Sequence, residues 1–452
     1  MSAAETASSS RLSALLRRHG WNATSFQLRE QGFSFFWSDD DACVGYVDTG
    51  RAWVAAGAPV AAPERLAEVA KAFVAAARAA RRRVCFFAVE ARFVTQSGLR
   101  ALAIGDQPMW NPQTWGDVVA ASRGLREQLR RARAKGVSVR ALPPGDAADD
   151  DGPLARALVG VTQRWLGTRE MAPMGFLVSV EPLPRFPEHR FYLAERDGRL
   201  LAFLQATPIF ARRGWLFQNL LRLPEAPNGT SELLIDAGLR DVAREGCDMV
   251  TMGLAPLSGN IPRPLAAVRK LGRPLFDFEG LRAFREKLRP TEWSPQFLCF
   301  PRSQGVIRSL LDVLTAFAHG SLTRFALRSV LRGPSLLLRL MAVLLVPWTL
   351  VLAAANDAWF PHPAVKWFWV GFDVVVLAGM LRLCERWRAR LAGALMIAIS
   401  ADALATALEA VAWNLRRGVG FVDGLIVATA TLAPSFAAFV LHRARRRRRD
   451  AA

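Results

Sequence analysis

Short apolar runs broken by polar residues fill the first two thirds of this 452-residue chain, and long apolar runs fill the rest. Within residues 26–55 the runs FSFFW, CVGYV and AWVAAG are separated by turn residues, which predicts a meander of strands. Residues 63–82 have helical composition and lead into 84–89 (VCFFAV), whose continuous apolar character reads as a buried strand. The same order returns downstream. Residues 190–194 and 200–206 flank Asp197-Gly198, a strong hairpin signal, and 215–221 is a further strand. Residues 231–245 read as a helix opened by a cap at Thr230 or Ser231, followed by a strand over 248–254. Both halves run meander, helix, cysteine-marked strand, so two similar α/β modules are expected, over 1–150 and 151–303. The junction is placed in the Pro-, Gly- and Asp-rich stretch 143–153.

Four apolar stretches follow, at about 335–355, 364–382, 391–412 and 421–441, each close to the roughly 20 residues that cross a bilayer's hydrocarbon core. They predict an all-α, four-span membrane domain over 334–443. Arg382, Arg386, Arg388 and Arg390 lie between the second and third stretches, and Arg443 with 445–449 follows the fourth. The positive-inside rule places these ends, and with them the body and both termini, on the cytoplasmic side. Residues 1–20 lack an apolar core of signal-peptide length, which agrees. Asp373, Asp402, Glu409 and Asp423 fall inside the spans; they are either functional, paired with Arg339 or Arg382, or near the interface. Upstream, 304–333 spaces Ile307, Leu310, Leu311, Leu314 and Phe317 helically among arginines. That segment either lies on anionic lipid or packs as an ordinary helix on the body.

Composition adds little to this picture. The formal charge is +20, but only Lys71, Lys135, Lys270, Lys287 and Lys366 of the 59 basic residues are lysine. An arginine- and alanine-rich, lysine-poor chain is what GC-rich coding produces, so charge alone does not identify a nucleic-acid binder. One basic segment is patterned: over 123–140, Arg123, Arg126, Arg130 and Arg133 form one helical stripe and Leu125, Leu129 and Ala132 another. The basic stripe suits an RNA backbone, a membrane surface or plain solvent. The five cysteines are scattered without metal-type spacing, and the five histidines are far apart, so neither a disulfide framework nor a metal centre is expected. Phosphate-binding, dinucleotide-binding, zincin and serine-hydrolase motifs do not occur.

Three ordered motifs carry the most specific signal: PNGTSELLID at 227–236, MGLAPLSG at 252–259, and FEGLRAFREKLRP at 278–290 with Trp293. In these the sequence resembles the catalytic domain of the bacterial phosphatidylglycerol lysyltransferase family, the aminoacyl-phosphatidylglycerol synthases. The resemblance extends upstream through Gly57-Ala58-Pro59, Ile104-Gly105-Asp106 and the helix at 123–136, covering roughly residues 20–300.

The resemblance implies a tandem acetyltransferase-like (GNAT-like) fold that moves an aminoacyl group from aminoacyl-tRNA to a hydroxyl of an anionic phospholipid at the bacterial inner membrane, with no cofactor. It makes Glu232, which matches the acidic position after the family's Asn-Gly, the residue that binds the donor's ammonium or assists deprotonation. Asn228 and Ser258 complete the expected catalytic set. Gly229, Thr230, Gly253, Arg285, Lys287 and Trp293 are expected to bind substrate, with Arg285 and Lys287 meeting lipid or tRNA phosphate, and Arg123, Arg126, Arg130 and Arg133 to face tRNA. No [QR]-x-x-G-x-[GA] loop is present, which disfavours an acyl-CoA donor. The other readings of such a fold are an acyltransferase with a thioester donor and a non-catalytic membrane scaffold. Two departures stand out: Arg285 replaces the usual first lysine of the closing motif, and Ser294 follows Trp293 where a glutamate is common.

Overall fold

The computed structural model describes residues 3–142, 152–169, 171–180, 182–183, 186–272, 276–332, 334–356, 360, 362–385, 387–414 and 421–450. The chain forms two compact units, residues 1–166 with 173–325, and 167–172 with 326–452. The expected junction at 143–153 lies almost wholly outside the described residues.

The first unit is built on one mixed sheet. Helix α1 (Ala3–His19) precedes the meander β1 (Ser34–Asp39), β2 (Ala42–Asp48) and β3 (Ala52–Ala56). Helix α2 (Leu66–Ala79) then crosses over to β4 (Arg83–Val89), which lies parallel to β3. Next come α3 (Ala91–Ser97), β5 (Arg100–Trp110), α4 (Trp115–Ala121), α5 (Arg123–Ala134) and β6 (Ser138–Ala141). After α6 (Pro153–Gly167), the strands β7 (Arg190–Arg196), β8 (Arg199–Ile209) and β9 (Gly214–Arg222) form a second meander. Helix α7 (Thr230–Arg244) crosses to β10 (Met249–Thr251), parallel to β9. The two-residue β11 (Ala255–Pro256), α8 (Arg263–Gly272), α9 (Phe278–Lys287) and β12 (Glu292–Phe300) complete the sheet.

The strand order is β1-β2-β3-β4-β12-β5-β10-β9-β8-β7-β6, so the sheet reads the same from both ends: a meander, then a parallel pair made by a helical crossover. The last strand, β12, inserts antiparallel between β4 and β5 and joins the halves. The β7–β8 turn has positive φ at both Asp197 (53°) and Gly198 (73°), the backbone a tight two-residue hairpin requires.

The two crossover helices, expected from helical composition and a cap signal, are amphipathic. Helix α2 buries Leu66, Val69, Ala70, Phe73 and Ala77, and Phe73 packs within 5.3–5.7 Å of the rings of Phe36, Tyr46, Trp53 and Phe86. Helix α7 buries Leu234, Ile235, Leu239 and Val242 in a core shared with Tyr192, Leu204 and Phe217. One expectation fails at its start. Neither Thr230 nor Ser231 caps it; Gly229 occupies the cap with φ 94° and no side-chain bond, and the Thr230 hydroxyl donates back to the Pro227 carbonyl at 2.7 Å.

Segment 304–333 is two helices, α10 (Val306–Phe317) and α11 (Leu322–Arg332), separated by a turn with positive φ at His319 and Gly320. The expected apolar stripe is divided: Leu310 and Phe317 pack on the body, while Ile307, Leu311 and Leu314 face outward.

The second unit contains α12 (Pro334–Ala354), α13 (Pro363–Glu385), α14 (Ala389–Glu409) and α15 (Phe421–Asp450). Its core is small: Leu338, Ala342, Val376, Met380, Leu395, Ile399 and Val440 among others. Val343, Leu350, Phe368, Val375, Ile397 and Leu404 are each more than half exposed. Among the described residues three helical segments, Leu337–Ala354, Pro363–Cys384 and Ala389–Ala412, are long and apolar enough to cross a membrane. The fourth expected span falls on α15, where the side chains of 421–427, Asp423 included, lie outside the described residues. Pairing of the intramembrane acids with arginine, one of the alternatives above, is not found among the described residues. Thr406 donates to Asp402, Trp369 to Glu409, and Arg339 donates instead to the Cys384 carbonyl.

Candidate functional site

The second half of the sheet opens where β9 and β10 part. Their parallel pairing covers only Met249–Thr251 against Gly214–Leu216, after which β9 runs on to Arg222 and the other chain leans toward β5. There Ala255 pairs with Asp106 and Pro256 with Gly105. Gly105 is obligatory at this contact, because a Cβ on it would overlap the Ala255 carbonyl. The Leu257 amide bonds the Ile104 carbonyl at 2.7 Å. Ser258, 3% exposed, accepts the Asp106 amide at 3.0 Å and donates to the Ala255 carbonyl at 2.7 Å. Its hydroxyl is a latch holding the strand end on β5.

Helix α9 supplies three cations to this opening, each to a different place. Arg285 is buried and its two Nη groups donate to the carbonyls of Met252 (2.7 Å) and Gly253 (3.1 Å), fixing the backbone that has left β9. Burial lowers its pKa to about 10, and its Nε has no partner among the described residues. Arg285 thus holds two protein carbonyls with its guanidinium fork. Arg282 pairs with Asp106 at 3.1 Å and Glu286 at 2.8 Å, and its guanidinium lies 4.5 Å over the ring of Trp293. Lys287 extends to Glu232, Nζ to Oε1 2.7 Å.

Glu232 is on the first turn of α7, where the helix dipole favours a negative charge. Its side chain is 8% exposed and that of Lys287 is 41% exposed, so the pair has one dry end and one wet end. A carboxylate held this way can exchange its ammonium partner for another or accept a proton, at less cost than removing a fully buried pair. Gly229, just ahead, touches α5: a Cβ there would overlap the Gln128 carbonyl. The basic helix and the start of α7 are thus in direct contact.

Several expected residues meet here. Glu232 and Lys287 pair, Gly253 is clamped by Arg285, and Trp293 lies under Arg282. Thr230 is fully buried, and Asn228 is exposed at the turn. On α5 the packing stripe Leu125, Leu129 and Ala132 is buried. The arginines are less free than their spacing implied: Arg130 and Arg131 share Glu127, Arg126 donates to the Val119 and Ala120 carbonyls, and Arg133 reaches Asp236 at 3.2 Å. Arg123, Arg126, Arg130 and Arg131 still line a surface depression with Gly124 and Glu127.

Sequence reasoning did not single out three buried polar residues near this arrangement, of which Asp236 braces it. Asp236, 2% exposed, accepts from the Trp115 indole (2.9 Å), Arg240 (2.8 Å) and Arg133, tying α4 and α5 to α7. Gln107 and Gln296 lie on adjacent strands, on the face opposite Asp106 by register, each at most 3% exposed with an amide nitrogen unpartnered among the described residues. The signal for Asp236 was a polar residue at the end of an apolar run, which periodicity alone does not flag.

Comparison with known proteins fits this geometry. The family described as phosphatidylglycerol lysyltransferase, C-terminal, matches residues 13–300. The chain is 26% identical over 322 residues to a phosphatidylglycerol lysyltransferase of Bacillus subtilis, covering 67% of this chain and 36% of that protein. It is 24% identical over 249 residues to the lysylphosphatidylglycerol biosynthesis bifunctional protein LysX of Gordonia bronchialis, covering 51% and 21%. The chain thus spans about a third or less of the length of these relatives. The structure of L-PGS from Bacillus licheniformis superposes with a TM-score of 0.59 at 22% identity, over 68% of this chain and 96% of that one, a likeness of fold. With a family match across the whole sheet unit and the three motifs gathered at one opening, the chain belongs to the phosphatidylglycerol lysyltransferase C-terminal family.

Proposed function

We propose that the protein is a membrane-anchored aminoacyltransferase that moves an aminoacyl group from aminoacyl-tRNA to a hydroxyl of a phospholipid such as phosphatidylglycerol. The observation that carries this reading is the Glu232–Lys287 pair, set at the opening beside β9 and contributed by two of the three family motifs. In the reaction the lipid hydroxyl oxygen bonds to the aminoacyl carbonyl carbon, the ester bond to the tRNA ribose breaks, and the lipid proton ends on the ribose oxygen. One ester replaces another, so no further energy source is needed, and positioning supplies much of the rate. The donor's α-ammonium takes the place of Lys287 on Glu232, and Arg285 keeps the Met252–Gly253 backbone in place beneath it. The exposed arginines of α5, which touches the start of α7 at Gly229, receive the tRNA backbone. We further infer tandem acetyltransferase-like modules, a fourth span on α15, and a body facing the cytoplasm at the bacterial inner membrane.

The test is to express the full chain in a bacterial host that lacks aminoacylated lipids and to search its lipids by mass spectrometry for species heavier by one amino-acid residue. A species lost in Glu232→Gln and in RNase-treated extracts identifies both amino acid and lipid. Folded, membrane-inserted protein that yields no such lipid sinks the reading, and RNase-resistant product points to a thioester donor.

A further inference from the structure

Helix α10 turns a mixed polar and apolar face to the sheet and leaves an aliphatic stripe exposed. Toward the sheet it presents Ser309, Asp312, Val313 and Ala316, all buried. The Asp312 carboxylate takes Nε and Nη2 of Arg83 at 2.7 and 2.6 Å, and Gln304 reaches the Ser309 hydroxyl at 3.3 Å. Phe317 is wedged edge-on between Phe87 and Phe176, each 5.2 Å away. These contacts fix the helix's rotation. Away from the sheet, at i, i+4 and i+7, stand Ile307 (74% exposed), Leu311 (46%) and Leu314 (52%). Left in water, such side chains forgo much of the stabilisation that burial would contribute.

Two further observations say what covers this stripe. Apart from Asp312, which is neutralised by Arg83, every Asp, Glu, Lys or Arg of residues 301–332 is an arginine: Arg302, Arg308, Arg324, Arg328 and Arg332. The chain then enters, at Leu337, the first helix long and apolar enough to cross a membrane. Aliphatic side chains between arginines, next in sequence to a membrane-length helix, match the headgroup–acyl boundary of an anionic bilayer.

We propose that α10 is a membrane-contact face of the sheet unit, with Ile307, Leu311 and Leu314 entering the lipid boundary and Arg308 meeting lipid phosphate. In a chain already anchored through its apolar helices, this contact adds orientation more than affinity: the Arg83–Asp312 clamp transmits the membrane plane to β4 and so to the sheet. The inference rests on the helix and not on the transfer reading, and it would hold for any chemistry the sheet unit performs.

The full-length protein, with Cys384→Ser, is labelled with an environment-sensitive fluorophore at Leu311→Cys, or at Asp117→Cys on exposed α4, and reconstituted in mixed phosphatidylcholine–phosphatidylglycerol vesicles. The four remaining cysteines are buried. Spin-labelled acyl chains are expected to quench the probe at 311 by roughly twofold or more and to leave the probe at 117 nearly untouched. Exchanging Arg308 for Glu should weaken the quenching at 311, and Leu311→Cys should unfold at the same temperature as its parent, since that side chain is largely exposed. Equal behaviour at both positions overturns the proposal. A blue-shifted probe at 311 that lipid does not quench, with energy transfer between labelled copies, overturns it in favour of a second copy of the chain.

Discussion

The two ends of the sheet share one strand order and differ in what they bury. Under the β3–β4 crossover, α2 carries Phe73 into a nest of aromatic rings, and no charged residue of that helix is buried. Under the β9–β10 crossover, α7 buries Glu232 and Asp236, and the neighbouring α9 buries Arg285. The inner face of α2 is wholly apolar, whereas α7 is joined to its neighbours by ion pairs as well. Burying charge is costly unless each group is partnered. The second crossover thus holds ionisable groups in fixed positions within a large apolar core.

This contrast can be broken by experiment. The largest effect is expected for Phe73→Ala, about 3–5 kcal/mol of stability from a cavity among four rings, read by thermal unfolding of the detergent-solubilised chain. Transfer per folded molecule should be unchanged; a catalytic defect without unfolding would break the contrast. Glu232→Gln should do the reverse, lowering product lipid by about 100-fold or more while the unfolding temperature barely moves.

His189 tests the seam between the halves. It is buried against Phe26, Phe186 and Gln205, and burial together with Arg29 lowers its pKa to about 4 from an ordinary 6.5. The unfolded chain therefore binds this proton more readily. The stabilising contribution is complete above pH 6.5 and is lost as pH falls through the interval down to about 4, by at most about 3 kcal/mol. Unfolding curves over that range should flatten in His189→Gln; an unchanged slope would assign the acid sensitivity elsewhere. The smallest effect is expected for Arg285→Lys, which keeps the charge but loses the fork that spans two carbonyls. A cost of about 1–2 kcal/mol is expected, with a larger fractional loss of transfer than of stability; equal activity would remove Arg285 from the site's support.

Much of this was legible beforehand. The meanders, both crossover helices, the Asp197-Gly198 hairpin and the apolar tail follow from periodicity and turn chemistry, which act over a few residues. The three motifs were visible as strings, and their positions on α7, the β10 end and α9 could be placed roughly. Their partners could not. Glu232 and Lys287 are 55 residues apart, and Arg282 and Asp106 are 176 apart. The cap of α7 was misread for the same reason: Thr230 has the right chemistry, but the approach of α5 demands glycine before it and turns the hydroxyl back on Pro227.

By itself the sequence determined the two meanders, the crossover helices, the family and the membrane-length helices, because composition, turn chemistry and run length are local properties of the chain. Only the tertiary structure decided that β12 stitches the halves together, that Arg285 faces inward to carbonyls, and that α10 buries Asp312 while exposing Ile307, Leu311 and Leu314. These outcomes depend on which groups become neighbours across long loops, and a buried charge takes whichever partner the packing brings within hydrogen-bond reach.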